Sequence, residues 1–160
     1  MSASVDIAGV FARHMKSVYR LCYSYLGTAA DAEDATQSTF LKLVAAPRTF
    51  ESEEHERAWL LRCAANLCKD LLKSPRHTQA AEMPADIVDR QAHAEPSPVL
   101  QAVLALPERY RDCVYLHYYE GYKTDEIAHL TDTPPSTVRN HLSEARKLLK
   151  AQLEGENHDR

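Results

Sequence analysis

The sequence predicts an all-α protein of two small helical domains joined by a flexible linker. Three observations point there. Apolar residues recur at spacings of three and four along most of the 160 residues. Only four glycines occur, at positions 9, 27, 121 and 155, which favours helices over a sheet-and-turn architecture. From Ser74 to Pro98 the periodicity fails, with four prolines and many alanines.

The first helix runs from Val10 to Leu26, with Phe11, Met15, Val18, Tyr19, Cys22, Tyr25 and Leu26 on one face. Gly27 ends it as a C-cap. Thr28 caps the second helix, and Asp31 and Glu33 suit its positive end. Its buried face is Ala32, Ala35, Thr36, Thr39, Phe40, Leu43 and Val44; Asp34, Gln37, Ser38 and Leu41 lie opposite, and Pro47 closes it. A third helix runs from about Glu54 to Lys73. Leu60, Cys63, Ala64, Leu67 and Leu71 form its inner face, and Trp59, Arg62, Asn66, Lys69 and Lys73 form a second stripe.

The linker then intervenes, with a helical turn near Ile87. Val99 to Leu106 is a short helix. The next starts at Pro107 and ends before Gly121. Ile127, Ala128 and Leu130 belong to a further short helix, and Val138, Leu142, Ala145 and Leu149 line the last. The acidic tail, EGENHDR, is expected to be disordered.

Net charge is −4, which does not advertise nucleic-acid binding, but its distribution is uneven. Residues 11–77 hold ten Lys/Arg against eight Asp/Glu, residues 78–98 one against four, and residues 134–150 four against one. The cysteines, Cys22, Cys63, Cys68 and Cys113, are scattered, which argues against a disulfide framework or zinc site. Cys113 and His117 lie one helical turn apart; a buried thiol beside an exposed histidine is the reading preferred over half a metal site. With no phosphate-cradling Gly loop and no nucleophile–base pattern, the sequence predicts no catalytic residue, no metal, no cofactor, no small-molecule substrate and no enzyme. No apolar run approaches a membrane span and no signal pattern is seen, so no membrane insertion and a cytoplasmic location are expected.

The stretch HLTDTPPSTVRNHL carries the strongest local signal. A residue before proline is pushed out of the α region, so Thr133 and Pro134 should be extended. Pro135 can then be the first helical residue, where its missing N–H costs nothing. Asp132 can take the left-handed conformation that ends the preceding helix. Two helices joined by Thr131 to Pro134 fit a helix-turn-helix. The second helix of such a unit enters the major groove by its N-terminal end. Here that end offers Ser136, Thr137, Arg139, Asn140 and Ser143, with Arg146, Lys147 and Lys150 following.

The segments YRLCYSYLGTAADAEDATQSTFLKLV and AWLLRCAANLCKDLL together resemble the second conserved region of bacterial sigma factors. LPERYRDCVYLHYYEGYKTDEIAHL and STVRNHLSEARKLL resemble their fourth region. Their order, and the linker between them, look like the extracytoplasmic-function (ECF) type. The resemblance covers about residues 11–73 and 98–151. It implies a region-two helical bundle at 1–75 for core polymerase and the minus-ten element, a linker at 76–97, and a region-four helix-turn-helix at 98–160 for the minus-thirty-five element.

The implied function is promoter-specific transcription initiation, with core RNA polymerase, promoter DNA and an anti-sigma factor as partners. Core should be bound tightly and free DNA poorly. Asp34, Gln37, Ser38 and Leu41 are the expected polymerase-binding face. Arg57, Trp59, Arg62, Asn66, Lys69 and Lys73 are expected on the melted minus-ten strand, since aromatics among cations suit single strands. Ser136, Thr137, Arg139, Asn140, Ser143, Arg146 and Lys147 are expected on the duplex. The segment Thr49 to Arg57 corresponds to the family's base-capturing loop, and its acids at 51, 53, 54 and 56 sit awkwardly beside DNA.

This sequence departs from the family pattern at several positions. Lys123 stands where a capping Ser or Thr is common, leaving Thr124 to cap. Asp132 replaces the turn Gly, and Pro134 a capping Ser. His117 and His141 stand where Arg is frequent, which lowers the cationic character. Two alternatives stay open from sequence alone: a stand-alone helix-turn-helix regulator, and a sigma-like helical interaction protein without promoter activity.

Overall fold

The computed structural model describes residues 6–74 and 98–158, all in helices and their connections. The chain divides into two compact units, Met1–Ala94 and Glu95–Arg160. Residues 76–97, expected as the linker with a turn near Ile87, lie outside the described residues.

The first unit holds α1 (Ile7–Leu26), α2 (Ala29–Ala45) and α3 (Glu53–Lys73). Helix α1 starts earlier than its apolar pattern because Asp6 caps it, accepting from the Gly9 N–H at 3.1 Å. Gly27 ends it at φ 80°, a left-handed conformation that glycine adopts freely, and its N–H donates to the Tyr23 carbonyl at 2.8 Å. Thr28 follows at once as the cap of α2, accepting from the Asp31 N–H at 3.3 Å. This tight corner folds α2 back onto α1. Ser52 starts α3 by accepting from the His55 N–H at 3.1 Å.

Val18, Leu21 and Cys22 of α1 meet Ala32, Ala35 and Leu43 of α2 and Leu60, Leu61, Ala64, Ala65 and Cys68 of α3 in one buried core. Thr36 and Thr39 are buried among them, and each hydroxyl donates to its own helix, to Ala32 and Ala35 carbonyls at 2.6 and 2.8 Å.

Two expected faces need correction. Val44 is 50% exposed rather than buried, because it lies on the Leu41 side of α2, while Leu43 beside it is fully buried. In α3 the buried stripe is Leu60, Leu61, Ala64, Ala65 and Cys68, while Cys63 and Leu67 are half-buried and Leu71 is exposed. Helix α3 packs chiefly on α1, which rotates its buried face from the one its spacing suggested.

The second unit holds α4 (Pro98–Leu104), α5 (Glu108–Val114), α6 (Thr124–Thr131) and α7 (Pro135–His158). Helix α4 stops before the expected Leu106, where a turn carries the chain to Pro107. Arg111 Nε donates to the Leu106 carbonyl at 2.9 Å across that turn, and burial holds its guanidinium pKa below the usual value.

The sequence suggested one helix to Gly121. Instead α5 widens into a π-helical turn, Tyr115–Tyr119. The Glu120 N–H reaches back to the Tyr115 carbonyl at 3.2 Å. The extra residue in this turn lets Tyr115 and Leu116 both face the core, which Val103, Val114, Ile127, Val138, Leu142 and Ala145 complete. Tyr115 stacks on Tyr119 at 5.4 Å, and its hydroxyl donates to the Glu120 carboxylate at 2.7 Å. The tail expected to be disordered is helical as far as His158.

Candidate nucleic-acid and polymerase interfaces

Helix α6 keeps Thr131, so the corner before α7 is Asp132–Pro134, one residue shorter than expected. Asp132 takes the left-handed conformation, φ 52° and ψ 48°. Its N–H donates to the Ala128 carbonyl, as does that of Thr133 at 3.0 Å. Pro135 is the first residue of α7, and the Val138 N–H donates to the Pro134 carbonyl at 3.1 Å. Thr133 does not cap α7: its hydroxyl donates back to the Thr131 carbonyl at 3.2 Å. Among the described residues no group accepts from the backbone N–H of Ser136 or Thr137. That leaves donors at a positive helix end, suited to an anion.

Helix α6 itself starts at Thr124, so Thr124 is not the cap. The cap position belongs to Lys123, whose backbone N–H is met by the Glu126 carboxylate at 2.9 Å.

Along α7, Val138, Leu142 and Ala145 are buried, while Ser136, Arg139, Asn140, Arg146 and Lys147 are exposed. Thr137 is half-buried, and Ser143 lies on the exposed side one turn beyond Arg139. Arg146 Nε donates to the Leu142 carbonyl at 3.3 Å, and Lys147 pairs with Glu144 at 3.3 Å. Both histidines that replace expected cations are engaged inside the unit. His117 is half-buried rather than exposed, with Nδ1 2.9 Å from the Tyr122 carbonyl. The His141 ring packs edge-on against Tyr110 at 5.3 Å. Cys113 is buried, and among the described residues no group of three or more His, Cys, Asp or Glu is arranged to hold a metal.

In the first unit, Asn66 and Lys73 are exposed, and Trp59, Arg62 and Lys69 are half-buried along one side of α3. Arg57, two residues before Trp59, points elsewhere: it lines a cleft with Arg13, His14, Ser17, Glu53 and Glu54. The structure adds two residues to the Trp59 end. Phe50 lies 5.7 Å from Trp59 and 5.3 Å from His55, ring to ring, and the Arg48 guanidinium sits 5.2 Å from the Trp59 centroid. The signal for them was an aromatic nine positions before another, invisible to helical periodicity because Phe50 is in a loop.

Only part of the expected 49–57 loop is a loop. Residues 53–57 are the first turns of α3, and Glu56 is 8% exposed. One Glu56 oxygen, Oε1, accepts from Arg13 Nε at 3.2 Å, Arg13 Nη2 at 2.9 Å and His14 Nε2 at 2.7 Å. Arg13 Nε also lies 3.9 Å from Glu53. The Glu56 hydrogen bond raises the Arg13 pKa. One of the four acids, Glu56, is therefore held by α1 rather than presented outward, and Glu53 stays exposed beside Arg13.

On α2, Asp34 and Gln37 are exposed, Ser38 is half-buried and Leu41 is 61% exposed. Val44, three residues on, extends the same face, giving a stripe polar at one end and apolar at the other.

The chain matches the family models described as Sigma-70 region 2 over residues 10–78 and Sigma-70, region 4 over residues 97–149. It is 28% identical to the ECF RNA polymerase sigma factor SigW of Bacillus subtilis, over 94% of this chain and 89% of that one. It is 30% identical to the RNA polymerase sigma factor CarQ of Myxococcus xanthus, over 90% and 87%. A solved structure of the sigma factor RpoE of Bartonella quintana, in complex with the anti-sigma factor NepR, shares the fold with a TM-score of 0.71 at 19% identity, covering 93% of this chain and 97% of that one. The chain belongs to the sigma-70 family of RNA polymerase sigma factors, and within it to the ECF type. Its function is that of a promoter-directing sigma factor.

Proposed function

We propose that the two units divide the recognition of one promoter. Residues 98–160 read the minus-thirty-five duplex, and residues 1–75 bind core RNA polymerase and the melted minus-ten strand, with 76–97 as the tether. The observation that carries this reading is the corner before α7. It leaves the Ser136 and Thr137 N–H groups unoccupied beside exposed Arg139 and Asn140. A phosphate can meet the N–H groups while Arg139 and Asn140 make bidentate contacts to guanine and adenine edges. Ser143 faces the same groove, and Arg146 and Lys147 follow the backbone.

On α3, a stripe of Trp59, Arg62, Asn66, Lys69 and Lys73 offers a stacking surface followed by phosphate contacts. The α2 stripe of Asp34, Gln37, Ser38 and Leu41 suits a basic helix with an apolar centre on the polymerase. The protein acts by binding and works in the cytoplasm, where its polymerase is. Among the described residues no helix is long and apolar enough to cross a membrane. An anti-sigma factor is a further partner, supported by the sigma–NepR complex that shares this fold.

Weak cationic character in the second unit means that its grip on free DNA is slight. Both units engaging together raise the effective concentration of each. The test is a footprint of genomic fragments. Core polymerase with this chain should protect one upstream duplex patch and expose one melted patch, and the chain alone should protect neither. Protection of duplex by the chain alone would favour the stand-alone regulator.

A further inference from the structure

The buried Glu56 cluster has no part in the interfaces above, yet it ties α1 to the first turns of α3, the helix that carries the Trp59 stripe. Its carboxylate lies in the first turns of α3, between His55 and Trp59 in sequence. Arg13 and His14 hold it from α1 through a single oxygen, Oε1. The aromatic group at the α3 entrance is tied to the same turns. Phe50 packs on His55 at 5.3 Å and on Trp59 at 5.7 Å, so any shift of the α3 start carries the group with it.

Charge gives a second reason. Glu51, Glu53, Glu54 and Glu56 cluster within six residues at this entrance, next to where a polyanion must come. Arg13 lies 2.9 Å from Glu56 and 3.9 Å from Glu53, so one cation offsets two carboxylates. A carboxylate this buried stays only where it is paired and hydrogen-bonded.

We propose that Arg13 is a positioning residue for promoter opening: through Glu56 it fixes the start of α3, and with it the Phe50–Trp59 surface, while masking acids that would repel the melted strand. This rests on the reading that the first unit holds that strand. Arg13 touches no DNA in this role. Its neighbour His14 completes the grip on Glu56 from the buried side.

The test uses the full chain with core polymerase on a promoter fragment that the unaltered chain transcribes. Permanganate reactivity of unpaired thymines reports opening. Arg13→Ala is the first variant, since the side chain is partly exposed and lies outside the apolar core, and His14 still holds Glu56. Opening should fall about tenfold, because small displacements of a binding surface have large effects. Core binding should be unchanged. The defect should be largest at low salt, where repulsion by the uncovered acids is least screened, and shrink as salt rises. Arg13→Lys should recover part of the activity. In a Glu56→Gln background, removing Arg13 should change opening less than in the parent, since only its longer contact with Glu53 remains. Unchanged opening with Arg13→Ala, or the same loss in both backgrounds, overturns the proposal alone. If the unaltered chain opens no fragment, the promoter-directing reading fails and the proposal falls with it.

Discussion

The Thr133 N–H donates to the Ala128 carbonyl at 3.0 Å, closing α6 across a left-handed Asp132. This bond decides where α7 begins and therefore which side chains lead it. The corner depends on a residue that tolerates positive φ, and aspartate does so better than a β-branched residue. Asp132→Val should lower stability by about 1–2 kcal/mol. Chemical denaturation followed by circular dichroism measures this; an unchanged midpoint would mean that the corner relaxes to another conformation.

Arg139→Ala with Asn140→Ala should abolish upstream recognition while leaving core binding intact. Each bidentate pairing with a base is worth roughly 1–3 kcal/mol of discrimination. A competition footprint between parent and altered upstream elements, paired with a core pull-down, reads both. Failure of this double variant to bind core would contradict the division between the units.

Asp34→Lys with Leu41→Glu should abolish core binding first. Both side chains are exposed on α2, so the fold should survive their replacement. Retention of core in a pull-down, together with failure to recognise the upstream element, would reverse the assignment of the units.

Trp59→Ala should weaken binding to a pre-melted promoter by about 1–3 kcal/mol, the range for one base–aromatic stack. Upstream duplex binding should not change. A fluorescence titration with a bubble template tests this, and equal binding by parent and variant would place Trp59 in a packing role with Phe50 and Arg48.

Cys63 should be the cysteine that a maleimide reaches in the native protein. It is half-buried, while Cys22, Cys68 and Cys113 are buried. Burial pushes the Cys63 thiol above its usual range, and Lys42, Arg48 and Arg62 oppose this only in part. The thiolate is the reactive form, so labelling should be slow at neutral pH and accelerate only above the range in which a free thiol ionises. Rapid labelling at a pH of about 7, or equal labelling of all four, would contradict this environment.

The helices were legible because their caps and stops are local. Gly27, Thr28, Pro135 and Asp132 each act through the backbone of their own neighbourhood, and each does what its chemistry suggests. The faces of α2 and α3 were less legible. Spacing shows that a helix has an apolar side, but the neighbour it packs on decides where burial ends, as Val44, Leu71 and Cys63 show.

The Glu56 cluster was hidden for a different reason. An acid in the first turn of a helix reads as a dipole partner facing water. Its real partners, Arg13 and His14, lie more than forty residues away and share no pattern with it. The π-helical turn at Tyr115–Tyr119 left no periodic trace either, because one extra residue shifts the phase of the turn without marking it. At the α7 tip the exposed side chains followed directly from the double proline. What the sequence left open was the cap, and here the Thr133 hydroxyl turns back to Thr131, so the Ser136 and Thr137 N–H groups face outward.

Run-off transcription tests the central claim most directly. Purified core polymerase is given genomic fragments with and without this chain. New transcripts that start at defined positions only when the chain is present, and that disappear with Arg139→Ala and Asn140→Ala, are the predicted result. No new start sites, together with no binding to core, would contradict it.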